Sequence, residues 1–232
     1  MCDLRSIIGS ILSRNGVPLW GVADLSRLPE GWRPGFGRAV VFALPLDPRV
    51  VSSIRDGPTE EYLDLYTCLN ARLTAIGEVV ERSILDAGYK AVNVGASTGD
   101  FDRETLSADF PHKLAATRAG LGWIGKCDLL VTRRFGSAIR FNTVLTDAPI
   151  GPDAPMDRSY CGDCVECKEA CPVSAPTGKL WSPGDAREEI YDVRACYLQC
   201  CEYGERLGSS HPICGRCIPA CPYTRKYLER HH

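Results

Sequence analysis

Thirteen cysteines are spread unevenly over the 232 residues: Cys2, Cys68 and Cys127 precede residue 160, and ten lie between 161 and 221. This asymmetry constrains the fold more than any other feature. The C-terminal part is too rich in loops and cysteine to build a conventional apolar core, so it needs inorganic staples. The N-terminal stretch MCDLRSIIGSILSRNGVPLW carries an apolar SIIGSIL segment, but Asp3 sits ahead of it and no small-residue cleavage site follows, which argues against a signal peptide. No apolar run reaches the length of about 20 residues that a membrane span needs. A cytoplasmic chain is expected. Its thiols stay reduced there, which favours metal ligands over disulfides.

The spacing sharpens this. CGDCVECKEACP, residues 161–172, places Cys161, Cys164, Cys167 and Cys171 with two, two and three intervening residues and a proline directly after. That is the bacterial ferredoxin run, in which three thiolates close on one [4Fe-4S] cube and the fourth reaches a neighbouring cluster. CGRCIPACP, residues 214–222, repeats the pattern with one ligand fewer: Cys214, Cys217 and Cys221. Exchange of the last ligands assigns Cys161, Cys164, Cys167 and Cys221 to one cluster, and Cys171, Cys214 and Cys217 to the other. The missing ligand comes from Cys196, Cys200 or Cys201 in DVRACYLQCCEYG, with Cys196 preferred. Zinc would instead want two separated cysteine pairs. Cys2, Cys68, Cys127, Cys200 and Cys201 are left as ordinary small thiols.

The remaining residues read as a mixed α/β structure. GRAVVFALPL (37–46) is a short apolar run between glycine and proline, a buried strand. After Pro58, the residues Tyr62, Tyr66, Leu69, Leu73, Ile76, Val80 and Ile84 recur every three or four positions, which predicts a long helix ended by Gly88. Strands are expected at 89–95, 127–132 and 138–146, with a turn around RRFG. A shorter helix is expected from Asp109 and Pro111 to Gly120, with Asp109 as its N-cap. The proline-rich stretch 146–160 reads as a linker. It divides the chain into a first domain, 1–155, and a second, 156–232. The formal net charge of −2 gives no global positive field for nucleic acid or an acidic membrane.

GLGWIG (120–125) spells the G-x-G-x-x-G of dinucleotide sites, but a helix precedes it and a strand follows, the reverse of the order such a site requires. Its glycines instead allow close backbone approach, either in a tight helix-to-strand turn around a buried Trp123 or against a large flat cofactor.

PHKLAATRAGLGWIGKCDLLVT (111–132), VLTDAP (144–149) and the two cysteine runs, in this order, resemble the cobalamin-dependent double-cluster proteins typified by epoxyqueuosine reductase and related more distantly to reductive dehalogenases. The resemblance covers roughly residues 35 to 225. It implies an α+β chain: a nitroreductase-like α/β cobalamin-binding domain followed by a ferredoxin-like module with two [4Fe-4S] clusters. It implies a reductase in which the clusters pass electrons to a corrinoid, and it makes Gly122, Trp123, Ile124, Gly125 and Lys126 cofactor-contact candidates, with Lys113 and Cys127 beside them. The family's extra cluster ligand lies in an Arg-x-Cys context, matched by Arg194-Ala195-Cys196.

Two departures are visible. Where the family carries a catalytic aspartate, this sequence has Leu106, with Asp109 three residues on. The helical-repeat extension of many such reductases does not follow the second cysteine run. A shorter sibling with different downstream chemistry is therefore expected, and a nucleic-acid substrate is disfavoured. His112, which ordinarily titrates near neutrality, and Asp109 are the candidate proton donors. A low-potential ferredoxin or flavodoxin would supply electrons, and a small molecule or a modified nucleoside would be reduced. The alternative is an electron-transfer protein with no substrate of its own.

Overall fold

In the computed structural model, which describes residues 3–33, 35–96, 101–108 and 110–231, helices and strands are mixed. The helices are α1 (Leu4–Arg14), α2 (Pro48–Ser53), α3 (Glu60–Asp86), α4 (His112–Arg118), α5 (Glu166–Glu169), α6 (Arg187–Ile190), α7 (Val193–Arg206), α8 (Cys217–Ala220) and α9 (Pro222–Glu229). The strands are β1 (Leu19–Asp24), β2 (Arg38–Pro45), β3 (Ala91–Asn93), β4 (Trp123–Ile124), β5 (Leu130–Val131) and β6 (Ile139–Thr146). No described helix is long and apolar enough to cross a membrane.

The chain divides into two compact units, each assembled from separated segments. The first comprises Met1–Leu44, Cys68–Leu121 and Arg140–Met156, and the second Pro45–Thr67, Gly122–Ile139 and Asp157–His232. One change of unit, at Met156 and Asp157, falls inside the proline-rich stretch.

The first unit is organised by a four-stranded sheet in the order β1-β2-β6-β3. β1 runs antiparallel to β2, with Leu19 opposite Ala43, and β3 antiparallel to β6, with Ala91 opposite Thr146. β2 lies between two neighbours, which explains why its residues Ala39 to Leu44 are all buried and why it reads as a continuous apolar run instead of an alternation. On α3, Tyr62, Leu69, Leu73, Ile76, Val80 and Ile84 are buried, as the helical periodicity predicted, and Tyr66 is half-buried. The helix stops where expected: the Tyr89 N–H reaches back to the Ile84 carbonyl over Gly88, whose φ is +87°.

Some elements differ from expectation. α1 forms over the segment weighed only as a signal peptide, and buries Ile8 and Leu12. β1 carried no clear alternation, because three consecutive residues, Gly21, Val22 and Ala23, are buried. Gly21 is required there, since a Cβ would stand 2.3 Å from the Ala119 carbonyl at the end of α4. The expected strand 127–132 is reduced to Leu130–Val131. Asp128 adopts φ +58° in a turn closed by the Gly125 N–H on the Leu129 carbonyl at 2.8 Å. The strand expected at 89–95 keeps ladder pairing only over Ala91–Asn93. α4 begins at His112, and Asp109, its expected N-cap, lies outside the described residues.

α3 is fastened to the sheet by a pair of amides. The fully buried Asn142 donates from Nδ2 to the Leu73 carbonyl at 3.0 Å and to Asn93 Oδ1 at 2.8 Å, while Asn93 Nδ2 donates to the Thr74 carbonyl at 3.0 Å. Gly77 makes room for this pair: a Cβ there would lie 2.3 Å from Asn93 Oδ1 and 2.4 Å from Asn142 Nδ2. Elsewhere in a helix, Gly→Ala gains about 1 kcal/mol of propensity. Here Gly77→Ala is expected to cost about 2–4 kcal/mol by displacing buried, hydrogen-bonded amides. Urea denaturation measures it, and a midpoint equal to or above wild type would show that α3 does not depend on this contact.

Candidate metal centre

The second unit gathers the C-terminal cysteines into two groups. Cys161, Cys164, Cys167 and Cys221 line one cavity together with Gly125, Lys126, Cys127, Val131, Pro222 and Tyr223. Each thiol is delivered by a short, constrained piece of backbone. Gly162, at φ +53°, turns the chain so that the Cys164 N–H donates to the Cys161 carbonyl at 3.2 Å. Cys167 rides on the single turn α5, and Cys221 caps α9, whose first residue is Pro222. Proline is tolerated at that position because its missing N–H would have had no helical partner. Burial pushes the Cys221 thiol pKa up, against the smaller opposing effect of the Thr224 and Tyr223 backbone N–H groups.

The hairpin β4–β5 closes the other side. Trp123 is completely buried and donates from Nε1 to Cys161 Sγ at 3.5 Å. Its ring packs on Tyr160 and Tyr223, with centroids 5.2 and 4.9 Å away. Lys126, 5% exposed, donates from Nζ to the Cys164 carbonyl at 3.0 Å. The glycines of this segment serve the hairpin itself: a Cβ on Gly122 would meet the Val131 carbonyl at 2.2 Å, and one on Gly125 would meet Val131 Cγ2 at 2.7 Å. Ile124 is buried within β4. Lys113 is half-buried on α4, in the first unit.

The second group centres on α7. Cys196 and Cys200, one turn apart, have their sulfurs 3.8 Å from each other. Cys214 and the Tyr191 hydroxyl stand beside this pair and bear on its ionisation. These contacts separate the thiols electrostatically. The hydrogen bond from Cys200 holds Cys214 down at about 7 and lowers Cys196, while Cys200, donating to both, is raised. Cys171 accepts a hydrogen bond from the Ala175 N–H at 3.4 Å. Cys217 opens α8, and Cys127 lines the first cavity together with Cys167. Tyr191 and Tyr223 carry no sequence signal, because neither lies in a recognisable motif and both come near the thiols only through tertiary folding.

Among the described residues no three His, Cys, Asp or Glu side chains stand where they could hold a single metal ion. The first four thiols wall a cavity instead of converging on a point. Soft thiolate donors, a buried lysine nearby and N–H groups aimed at sulfur suit a cluster that carries net negative charge.

His112 lies in the first unit. Part of the residue reaches solvent, but its ring is enclosed edge-on by Phe110 and Phe141, with centroids at 5.3 and 6.3 Å, and Nδ1 lies 2.9 Å from the Thr143 hydroxyl. Burial, and then the positive charge of Arg140, lower its pKa to about 4. The ring is therefore neutral at pH 7, and the near-neutral titration expected from the sequence is lost to desolvation.

The fold so described is shared with structures of a reductive dehalogenase and of epoxyqueuosine reductases. A catabolic reductive dehalogenase superposes with a TM-score of 0.73 over 98% of this chain and 34% of its own, at 18% identity. Epoxyqueuosine reductase from Streptococcus thermophilus gives 0.58 over 97% and 67%, also at 18% identity. In sequence, the resemblance is to epoxyqueuosine reductases from many species. That of Listeria monocytogenes is 29% identical over 173 residues, 73% of this chain and 41% of the relative. That of Pseudomonas aeruginosa is 29% identical over 226 residues, 96% and 57% of the two chains. The chain thus spans about half the length of the curated relatives it matches. No family model matches it.

The His112 environment predicts a specific acid sensitivity. Above the ordinary pKa of 6.5 both folded and unfolded chains hold a neutral ring. As pH falls below that value, the unfolded chain takes up a proton that the folded ring refuses until about pH 4, so stability is lost across this window. Between pH 7 and pH 5 wild type should lose about 2 kcal/mol relative to His112→Gln, measured by urea denaturation at each pH. A folded-state NMR titration of the ring with a midpoint near 6.5 would refute the assignment.

Proposed function

We propose that this chain is an iron–sulfur reductase in which two [4Fe-4S] clusters pass single electrons to a bound corrinoid. The first cluster is assigned to Cys161, Cys164, Cys167 and Cys221, and the second to Cys171, Cys196, Cys214 and Cys217. The observation that carries the reading is the cavity lined by four thiols from both cysteine runs, closed by Trp123 and Lys126. A corrinoid, when bound, supplies a strongly reducing cobalt centre. The residues Gly122–Lys126 remain its proposed contacts in this chain, on the strength of the resemblance. The similarity to epoxyqueuosine reductases supports reductase chemistry, and one structural neighbour is described as acting by B12-dependent dehalogenation.

In this reading the protein residues bind, shield and tune. The Lys126 charge partly neutralises the buried thiolate site, and the N–H groups of Trp123, Tyr223 and Thr224 offer hydrogen bonds to sulfur. Val131 and Tyr223 line the cavity and the buried Trp123 packs on Cys161, which keeps water from it. The nitroreductase-like and ferredoxin-like descriptions of the two parts, a cytoplasmic location, and a low-potential ferredoxin or flavodoxin as donor belong to the same proposal. The substrate would be a small molecule or a modified nucleoside; a related epoxyqueuosine reductase has been captured with a modified tRNA stem loop.

Anaerobically reconstituted protein should contain roughly eight iron and eight sulfide per chain. Stoichiometric zinc without sulfide would end the cluster assignment. Cys196→Ala should halve the iron, whereas Cys200→Ala should leave it unchanged; the opposite pattern moves the ligand to Cys200. Added cobalamin should shift to a base-off spectrum and yield Co(I) on reduction. Full clusters with no spectral change would leave electron delivery to a partner as the function.

A further inference from the structure

The first thiol-lined cavity comes nearest the surface on one side. Of its four paired-run cysteines, Cys167 and Cys221 are buried, whereas Cys161 and Cys164 are half-buried. Beside Cys161 stand Tyr160 and Tyr223, both half-buried and both packed on Trp123, whose Nε1 donates to Cys161 Sγ at 3.5 Å. The Tyr223 hydroxyl donates to the Tyr160 carbonyl at 3.4 Å and joins the two. Contact therefore runs from the surface through an aromatic cluster to a thiol.

Three exposed cations frame this cluster. The Arg133 and Arg158 guanidinium carbons lie over the Tyr160 ring, 4.7 and 4.8 Å from its centroid, and Lys226 Nζ lies over the Tyr223 ring at 5.9 Å. Among the described residues none of the three is in an ion pair, unlike the neighbouring Arg225, which Glu166 holds at 2.7 Å. The exposed Asp157 and Asp163 of the same loop reduce this positive surplus but leave the cations in the majority. The surplus is local, since the chain as a whole has a formal net charge of −2. Ring contact restrains both guanidinium groups, so less side-chain freedom is lost when they pair with a partner. A nucleobase stacking on Tyr160 would compete with them, whereas a carboxylate pairs with them as they stand.

We propose that this face docks an acidic electron-donor protein of the flavodoxin type, whose carboxylates pair with Arg133, Arg158 and Lys226 and whose electrons enter at the first cluster. This rests on the two-cluster reading above and gives the donor a place on the surface. The step moves one electron and no proton. The donor's flavin hydroquinone anion becomes the neutral flavin radical as [4Fe-4S]2+ becomes [4Fe-4S]+.

Binding and electron entry are measured separately on reconstituted protein. Calorimetric titration with oxidised flavodoxin should show a complex at low ionic strength that is lost in about 0.5 M salt. Arg133→Glu/Arg158→Glu should weaken that complex roughly tenfold or more. In stopped flow, reduction by flavodoxin hydroquinone should slow by a similar factor in this variant. Reduction by the methyl viologen radical, itself a cation, should not slow. No complex with wild type, or equal affinity of wild type and variant at full iron content, overturns the inference and leaves the cluster assignment standing. Equal slowing with both reductants overturns it too, because the substitutions would then have disturbed the cluster itself. An RNA stem loop that loses affinity in the variant while flavodoxin does not would assign the face to nucleic acid and likewise overturns it. Should the double variant lose its iron, Lys226→Glu decides by the same criteria. Wild type that assembles no iron overturns the underlying reading, and this inference with it.

Discussion

The Lys126 ammonium bound to the Cys164 carbonyl and the Trp123 indole aimed at the Cys161 sulfur tie a mid-chain hairpin to cysteines some forty residues downstream. The rest of the second unit depends on this seating. The same segment reaches α9 at its far end: Ser137 N–H donates to Thr224 Oγ1 at 3.1 Å, and a Cβ on Gly136 would lie 2.3 Å from the Thr224 backbone. That close approach fixes the start of α9 and so the direction of Cys221. The three cysteines of the first run come from one loop and one helical turn, but the fourth enters the cavity only because the hairpin holds α9 against it. Tyr227, further along α9, donates to the Leu46 carbonyl at 2.8 Å and extends the attachment to the segment 45–67.

Which parts were legible in the sequence follows from how local each signal is. β2 and α3 were readable because their burial follows a continuous run and a three-to-four period; the structure buries Ala39–Leu44 and, of the helical set, all but the half-buried Tyr66. The cysteine runs were readable because their spacing is a local property of short loops. α1, β1 and α7 were not. α1 buries only Ile8 and Leu12 among its eleven residues, and α7 is polar on average, with its cysteines standing where a core helix would carry leucine. Cys127–Leu129 was read as strand from composition, whereas the left-handed Asp128 ends the strand pattern before it starts. The assignment of 45–67 and 122–139 to the second unit is tertiary information with no sequence signature. Cys127 illustrates the same limit. Its neighbours Gly125 and Lys126 stand out as a motif, while its own place in the wall of the thiol-lined cavity follows only from the folded chain.

Electrostatics explains why the second unit tolerates so many thiols in a small volume. A set of thiolates cannot be buried together without compensation. Here the neighbouring Cys196 and Cys214 thiols hold Cys200 up, the neighbouring Cys127 and then burial hold Cys167 up, and burial holds Cys221 up. Iron would replace those protons and take over the compensation. Ligand binding by thiols therefore releases protons, so cluster assembly under the proposed reading grows more favourable as pH rises.

The arrangement on α7 bears on the choice of the eighth ligand. Residues four apart on a helix share a face, so a ligand at Cys196 necessarily brings Cys200 alongside it, whereas Cys201 lies about 100° further round. A cube offers four corners, and Cys171, Cys214 and Cys217 take three, so one of the two helical thiols stays protonated. Cys196 is the more easily ionised of the pair, because Cys200 and the Tyr191 hydroxyl both donate to it. Cys200 is held protonated by the same bonds. The thiol that loses its proton more readily has less to give up on meeting iron, which favours Cys196 as ligand. It also leaves Cys200 as a neutral thiol whose sulfur lies 3.8 Å from that of Cys196.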